Sequence, residues 1–220
     1  GVSIVAVGFG GANEQTMRAI ASAPSSDFAF FGASMDEVRQ HFASDRLCEL
    51  AASPKAPPPP PSTPAPPGLP PSPPSPSPAP PSPPACVVKL ELVLVLDKSG
   101  SVRAEQSSLL AFAREMVSQF RLDATEGARV GVVEFSSDAA TLTPLTGSLS
   151  DVLTAIDGAS AAGGGTSVSD GLELGRAEVN RGARADVPRT ILLLTDGVQT
   201  VDGNDDTAIA KAAAVKQDGV

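Results

Sequence analysis

The sequence predicts an α/β protein built on a doubly wound, mostly parallel sheet with helices on both faces. Three observations predict it. The segments 2–8 ("VSIVAVG"), 87–96 (with "LELVLVL") and 189–197 ("RTILLLTDG") are strand-length apolar runs that suit strands covered on both faces. Helical patterning separates them, as βαβ connection requires. Each run then ends in a turn of Gly, Ser or Asp, and parallel α/β folds place their sites at these carboxyl ends.

The elements follow in order. After strand 2–8, "GGANEQTMRAIASAP" reads as a turn and a helix ended near Pro24, and "FAFFGAS" (28–34) as a second short strand. Ser34 N-caps the next helix, "MDEVRQHFASDRLCEL", with Glu37 placed for a capping box. Val38, Phe42, Leu47 and Leu50 mark its inner stripe. Strand 87–96 leads through "DKSGS" into the helix "SVRAEQSSLLAFAREMVSQF". Strands 128–136 and 140–145 and the helix "SLSDVLTAIDGA" come next. The loop "AAGGGTSVSDG" opens a helix over about 168–180. Strand 189–197, a polar loop and the helix "TAIAKAAAVKQ" finish the chain.

Of the 22 prolines in 220 residues, 19 lie between Pro54 and Pro84. They divide the chain into residues 1–52, a Pro/Ser-rich linker over 53–85 suited to polyproline II, and residues 86–220. Fully extended, the linker would reach about 100 Å. The net charge of −9, with no basic run, argues against a nucleic-acid partner. No apolar run approaches the roughly 20 residues that span a bilayer. The chain opens inside a strand and closes at a helix end, so it reads as an excerpt of a longer protein.

Three loops at strand ends or helix starts carry hard oxygen groups. They hold Asp97, Ser99 and Ser101, then Thr166 in "GGGTS", then Asp196 in "LLLTDG". Turn chemistry alone accounts for any one of them. Together they form two carboxylates and three hydroxyls without His or Cys, a set that suits Mg²⁺, Mn²⁺ or Ca²⁺ and disfavours Zn²⁺ or Cu²⁺.

On "DKSGS", "GGGTS" and "LLLTDG", the segment 86–220 resembles a von Willebrand factor type A domain with a metal-ion-dependent adhesion site. The resemblance implies that Asp97, Ser99, Ser101, Thr166 and Asp196 hold a divalent cation, Mg²⁺ first. It also implies that an acidic group of a partner completes the ion's coordination. It exposes a gap as well, because 86–220 stops two strands and two helices short of such a domain. Residues 1–50, read as strand–helix–strand–helix, resemble the missing end. Either they are the tail of a preceding domain, or their first strand adds beside 189–196 and closes a circularly permuted sheet. A tandem array of such domains would be the parent in both cases. Cys48 and Cys86 are either buried thiols or a disulfide. In several secreted members a bridge joins the first strand to the last helix, and these two occupy those places.

Other motifs carry less. "GFGGAN" (8–13) lacks the dinucleotide G-x-G-x-x-G spacing, and Gly163–Gly165 is followed by no G-K-[ST]. His41, the sole imidazole, reads as a surface residue and supports no catalytic triad. The expectation is a non-enzymatic adhesion module of an extracellular or cell-wall protein. It would take an acidic protein or glycan through the metal and adjoin neighbouring repeats. The rivals are an intracellular domain docking on an ATPase complex, an Mg²⁺-dependent hydrolase, and a structural wall spacer.

Overall fold

The computed structural model describes residues 1–42, 48, 86–159 and 163–217. Its elements are β1 (Val2–Phe9), α1 (Glu14–Ile20), α2 (Ser25–Phe28), β2 (Ala29–Gly32), α3 (Met35–His41), β3 (Leu90–Asp97), a 3-10 turn (Ser101–Ala104), α4 (Gln106–Ser118), β4 (Ala128–Phe135), β5 (Ala139–Thr146), α5 (Leu149–Gly158), α6 (Val168–Asn180), β6 (Arg189–Thr195) and α7 (Asp205–Gln217). The expected linker over 53–85 lies outside the described residues, as do Leu47 and Leu50.

One six-stranded sheet runs in the order β2-β1-β6-β3-β4-β5. All pairings are parallel except that of β5 with β4. β1 lies along β6 in continuous register from Val2↔Arg189 to Gly8↔Thr195. β6 is therefore an interior strand, with β3 on its other side. The alternation of β1 feeds both cores, because successive side chains of a strand point to opposite faces. Val5, Val7 and Phe9 pack with α3, α4 and α5, whereas Ile4 and Ala6 pack with α1, α6 and α7. This two-sided burial explains why the run is apolar apart from Ser3.

Polar contacts also join the two stretches. Lys216 of α7 donates to the carbonyls of Ala19, Ile20 and Ala21, at 3.0, 3.2 and 3.1 Å, where α1 ends. A cation there complements the carboxyl end of the helix dipole. Burial pushes the Lys216 ammonium below its ordinary pKa. Thr16 of α1 donates to Asp205 at 2.5 Å. Lys216→Met should lower stability by about 1–2 kcal/mol, as loss of charged hydrogen bonds does. A urea melt with an unchanged midpoint would sink that expectation.

Several boundaries differ from the expected ones. The helix after "DKSGS" is broken at Glu105 (φ −102°, ψ 0°) into the 3-10 turn and α4. The Glu105 carboxylate instead accepts the Met35 N–H at 3.2 Å, at the start of α3. α7 begins at Asp205, two residues early, because Asn204 accepts the N–H groups of Asp206, Thr207 and Ala208. The second strand shrinks to Ala29–Gly32, preceded by the single turn α2. Ser34 caps α3 through the Glu37 N–H, but the Glu37 carboxylate reaches back to the N–H of Ala33 rather than of Ser34. Cys48 and Cys86 form a disulfide with Cα atoms 6.0 Å apart. Cys86 is fixed next to the end of α4 by backbone bonds to Gln119 and Arg121, at 2.7 and 2.9 Å.

Candidate metal centre

Three parallel strands, β3, β6 and β1, deliver their carboxyl ends to one rim of the sheet. From β3 comes the turn Asp97–Ser101. Asp97 is 3% exposed, and both of its oxygens are engaged. Oδ1 accepts the Ser99 N–H at 2.7 Å, and Oδ2 accepts the Thr195 hydroxyl at 2.5 Å. Asp97 thus braces the turn from which the Ser99 and Ser101 hydroxyls project. Ser99 Oγ stands 2.9 Å from Ser101 Oγ, which donates to Asp196 Oδ1 at 2.7 Å.

Thr166 enters from the loop before α6. A Cβ built on Gly197 would lie 3.4 Å from Thr166 Oγ1 and 3.7 Å from Ser101 Oγ, so glycine leaves the space between those hydroxyls open. Thr166 is held by Thr200, whose hydroxyl accepts its N–H and whose N–H donates to its carbonyl, both at 2.8 Å. The preceding glycines make this approach. Gly164 has φ +92°, a backbone state that L side chains rarely adopt, and its carbonyl accepts the Gly100 N–H at 3.3 Å. The turn after β1 closes the rim. A methyl group on Gly11 would come within 3.1 Å of the Asp196 carbonyl oxygen. The segment "GFGG" therefore packs on the TDG turn.

All five oxygen-bearing residues expected from the sequence meet at this rim. Ser101 alone of them is open to solvent. Burial pushes the Asp97 carboxyl above its ordinary pKa, and the charge of Asp196 adds to the push. Burial does the same to Asp196, with Glu105 contributing. Two crowded carboxylates with raised pKa values are what an added cation would relieve. The donor set fits a hard divalent ion. Octahedral Mg²⁺ with bonds of 2.0–2.1 Å places adjacent oxygens about 2.9 Å apart, close to the spacings within Ser99, Ser101 and Asp196. Those spacings are equally hydrogen-bond lengths, so the fit rests on the convergence of the oxygens. Among the described residues no group of three His, Cys, Asp or Glu side chains converges on a metal position; hydroxyls make up the balance here.

The sequence reading missed the supports. Thr195, Thr200 and Gly197 are small turn residues whose roles appear only when strands 98 positions apart are brought together. The threonine directly before Asp196 was the available signal.

The von Willebrand factor type A domain, as a sequence family, matches residues 91–220. No curated protein matches the chain. Among solved structures, proximal thread matrix protein 1 of the mussel byssus superposes with a TM-score of 0.52 at 20% identity, over 100% of this chain and 49% of that one. A structure of the same protein with a zinc-occupied MIDAS motif gives 0.48 at 22%, over 90% and 43%. The vWF domain of the type V pili tip protein Mfa5 from Porphyromonas gingivalis gives 0.47 at 25%, over 52% and 40%. The chain spans about half or less of each of these structures. The byssus likeness bears on the fold.

Proposed function

Because the chain belongs to the von Willebrand factor type A domain family, we propose that it is a divalent-cation-dependent binding module. Asp97, Ser99, Ser101, Thr166 and Asp196 hold the ion, Mg²⁺ in preference to Mn²⁺ or Ca²⁺. An acidic group of a protein or glycan partner joins them. The observation that carries this reading is the convergence of oxygens in which Ser101 Oγ lies 2.9 Å from Ser99 Oγ and 2.7 Å from Asp196 Oδ1, beside Thr166. A bound cation would supply positive charge and an open position for a carboxylate. The chain's own residues do the rest. Asp97 fixes the turn through Ser99 and Thr195, and the three hydroxyls give neutral donors that leave the ion's charge only partly neutralised. Asp196 brings the second carboxylate.

An extracellular setting goes with this reading. The Cys48–Cys86 disulfide suits an oxidising compartment better than one served by an intracellular ATPase complex. Among the described residues no helix is long and apolar enough to cross a membrane. A tandem array of such domains, in which 1–50 and 86–220 belong to neighbouring repeats, is the parent proposed from the sequence.

Thermal melts with added Mg²⁺ or Mn²⁺ test the site. At one hundred times the dissociation constant, linkage contributes about 2.7 kcal/mol, or roughly 5–10 °C for a domain of this size. Thr166→Val and Asp196→Ala should melt cooperatively and lose the rise. A wild-type melt indifferent to both ions would overturn the reading.

A further inference from the structure

Among the described residues of this acidic chain, the cations are nearly all engaged. At the rim itself, Lys98 lies between Asp97 and Ser99 but turns away to pair with Glu134 at 2.8 Å. Arg39, Arg129, Arg184 and Lys211 are likewise set against carboxylates. Arg103 differs. Among the described residues it is the one Lys or Arg with no hydrogen bond, ion pair or charged neighbour. It is exposed, and it belongs to the same 3-10 turn as Ser101. Its guanidinium lies against the loop that delivers Thr166, with Nη2 3.4 Å from where a Cβ of Gly163 would be. Gly163 has no side chain to cover it, so the planar head lies beside this loop with its donors unspent.

We infer that Arg103 is a specificity-determining residue that takes a second carboxylate of an acidic peptide ligand whose first carboxylate enters the metal centre. The inference rests on the proposed metal-bridged binding. A guanidinium presents a fork that matches a carboxylate bidentately. In a chain of net charge −9, an unpaired arginine two residues from a metal-binding serine offsets the repulsion an acidic ligand would otherwise meet. A peptide fits better than a polyuronate, because a flexible main chain lets two side chains reach separate donors from one backbone, whereas a rigid sugar polymer fixes their separation.

Binding of synthetic peptides to the full chain tests this. Fluorescent acetylated Gly/Ala peptides carrying either one Glu or two acidic residues one to three positions apart would be titrated in Mg²⁺ and in EDTA. Trigalacturonate would serve as competitor. The wild type should bind the best two-acid peptide roughly two- to fivefold more tightly than the one-acid peptide, the range of an exposed ion pair. The advantage should shrink with added salt. Arg103→Ala should abolish it, Arg103→Glu reverse it and Arg103→Lys keep part of it. The Mg²⁺-induced rise in melting temperature should be the same in all four proteins. Retention of the two-acid advantage in Arg103→Ala would overturn the role of Arg103 while leaving the metal reading intact. Absence of Mg²⁺-dependent binding to either peptide would overturn both. Trigalacturonate binding that needs Arg103, with no peptide preference, would overturn the peptide assignment.

Discussion

A chain lacking residues 1–52 should show no cooperative thermal transition, while the full chain shows one. β1 covers one side of β6 along its whole length, from Val2↔Arg189 to Gly8↔Thr195. Its removal would leave an apolar interior strand as a bare edge, a template for aggregation. The loss in the cores is larger still. Ten sizeable apolar side chains of 1–42, among them Ile4, Val7, Phe9, Met17, Met35 and Phe42, are buried. At about 1.5–3 kcal/mol each, their gross contribution exceeds the 5–15 kcal/mol by which a whole domain is usually stable. The entropy regained by deleting the segment offsets part of this. It does not restore cover to Leu192, Leu193 and Leu194, which are fully buried at present. Circular dichroism on heating, with a dye that reports exposed apolar surface, would decide the matter. A sharp melt of the shortened chain would mean that residues 86–220 carry a self-sufficient core.

The same segment reaches the candidate metal centre, because Gly11 abuts the Asp196 carbonyl. Much of this was legible in the sequence for a physical reason. Strands buried on both faces are apolar at nearly every position, so β1, β3 and β6 announce themselves without neighbours. A cation site at strand ends would need small oxygen-bearing residues in fixed order, so Asp97, Ser99, Ser101, Thr166 and Asp196 could be singled out together as candidates. What stayed hidden depends on distant partners. Glu105 sits mid-pattern in a helical stretch, and only its bond to the N–H of Met35, 70 positions away, marks the break there. Glu91 reads in the sequence as part of an apolar strand, since its partners Arg129 and Arg184 lie 38 and 93 positions off.

Replacing Glu91 by alanine should therefore be among the most destabilising single changes in the protein. Its side chain is fully buried at the start of β3, on the pole of the sheet opposite the candidate metal centre. Arg129 donates to both of its oxygens, at 2.9 and 2.7 Å, and Arg184 donates through Nε at 2.8 Å and through its own N–H at 3.1 Å. Arg184 also holds the carbonyls of Leu90, Thr125 and Gly127, and Arg129 that of Gly182, so one carboxylate ties two loops to the sheet. Burial alone would raise the Glu91 pKa, but the bonds from the two guanidinium groups outweigh it and hold the carboxyl below its ordinary value. Removing one member of such a buried group leaves charge uncompensated and costs about 3–5 kcal/mol. Replacing all three residues by apolar ones of like volume should cost much less, since the desolvation penalty goes with the charges. The pH dependence has a definite sign. A carboxyl with a lowered folded-state pKa contributes stability that is complete above its unfolded pKa, about 4.3, and is lost as pH falls through the folded value. Urea melts between pH 5.5 and 2.5 should show the wild type losing more stability than Glu91→Gln across that window. Parallel profiles for the two proteins, or a Glu91→Ala melt within a degree of the wild type, would show that the guanidinium groups find water instead and that the triad is ornamental to the fold.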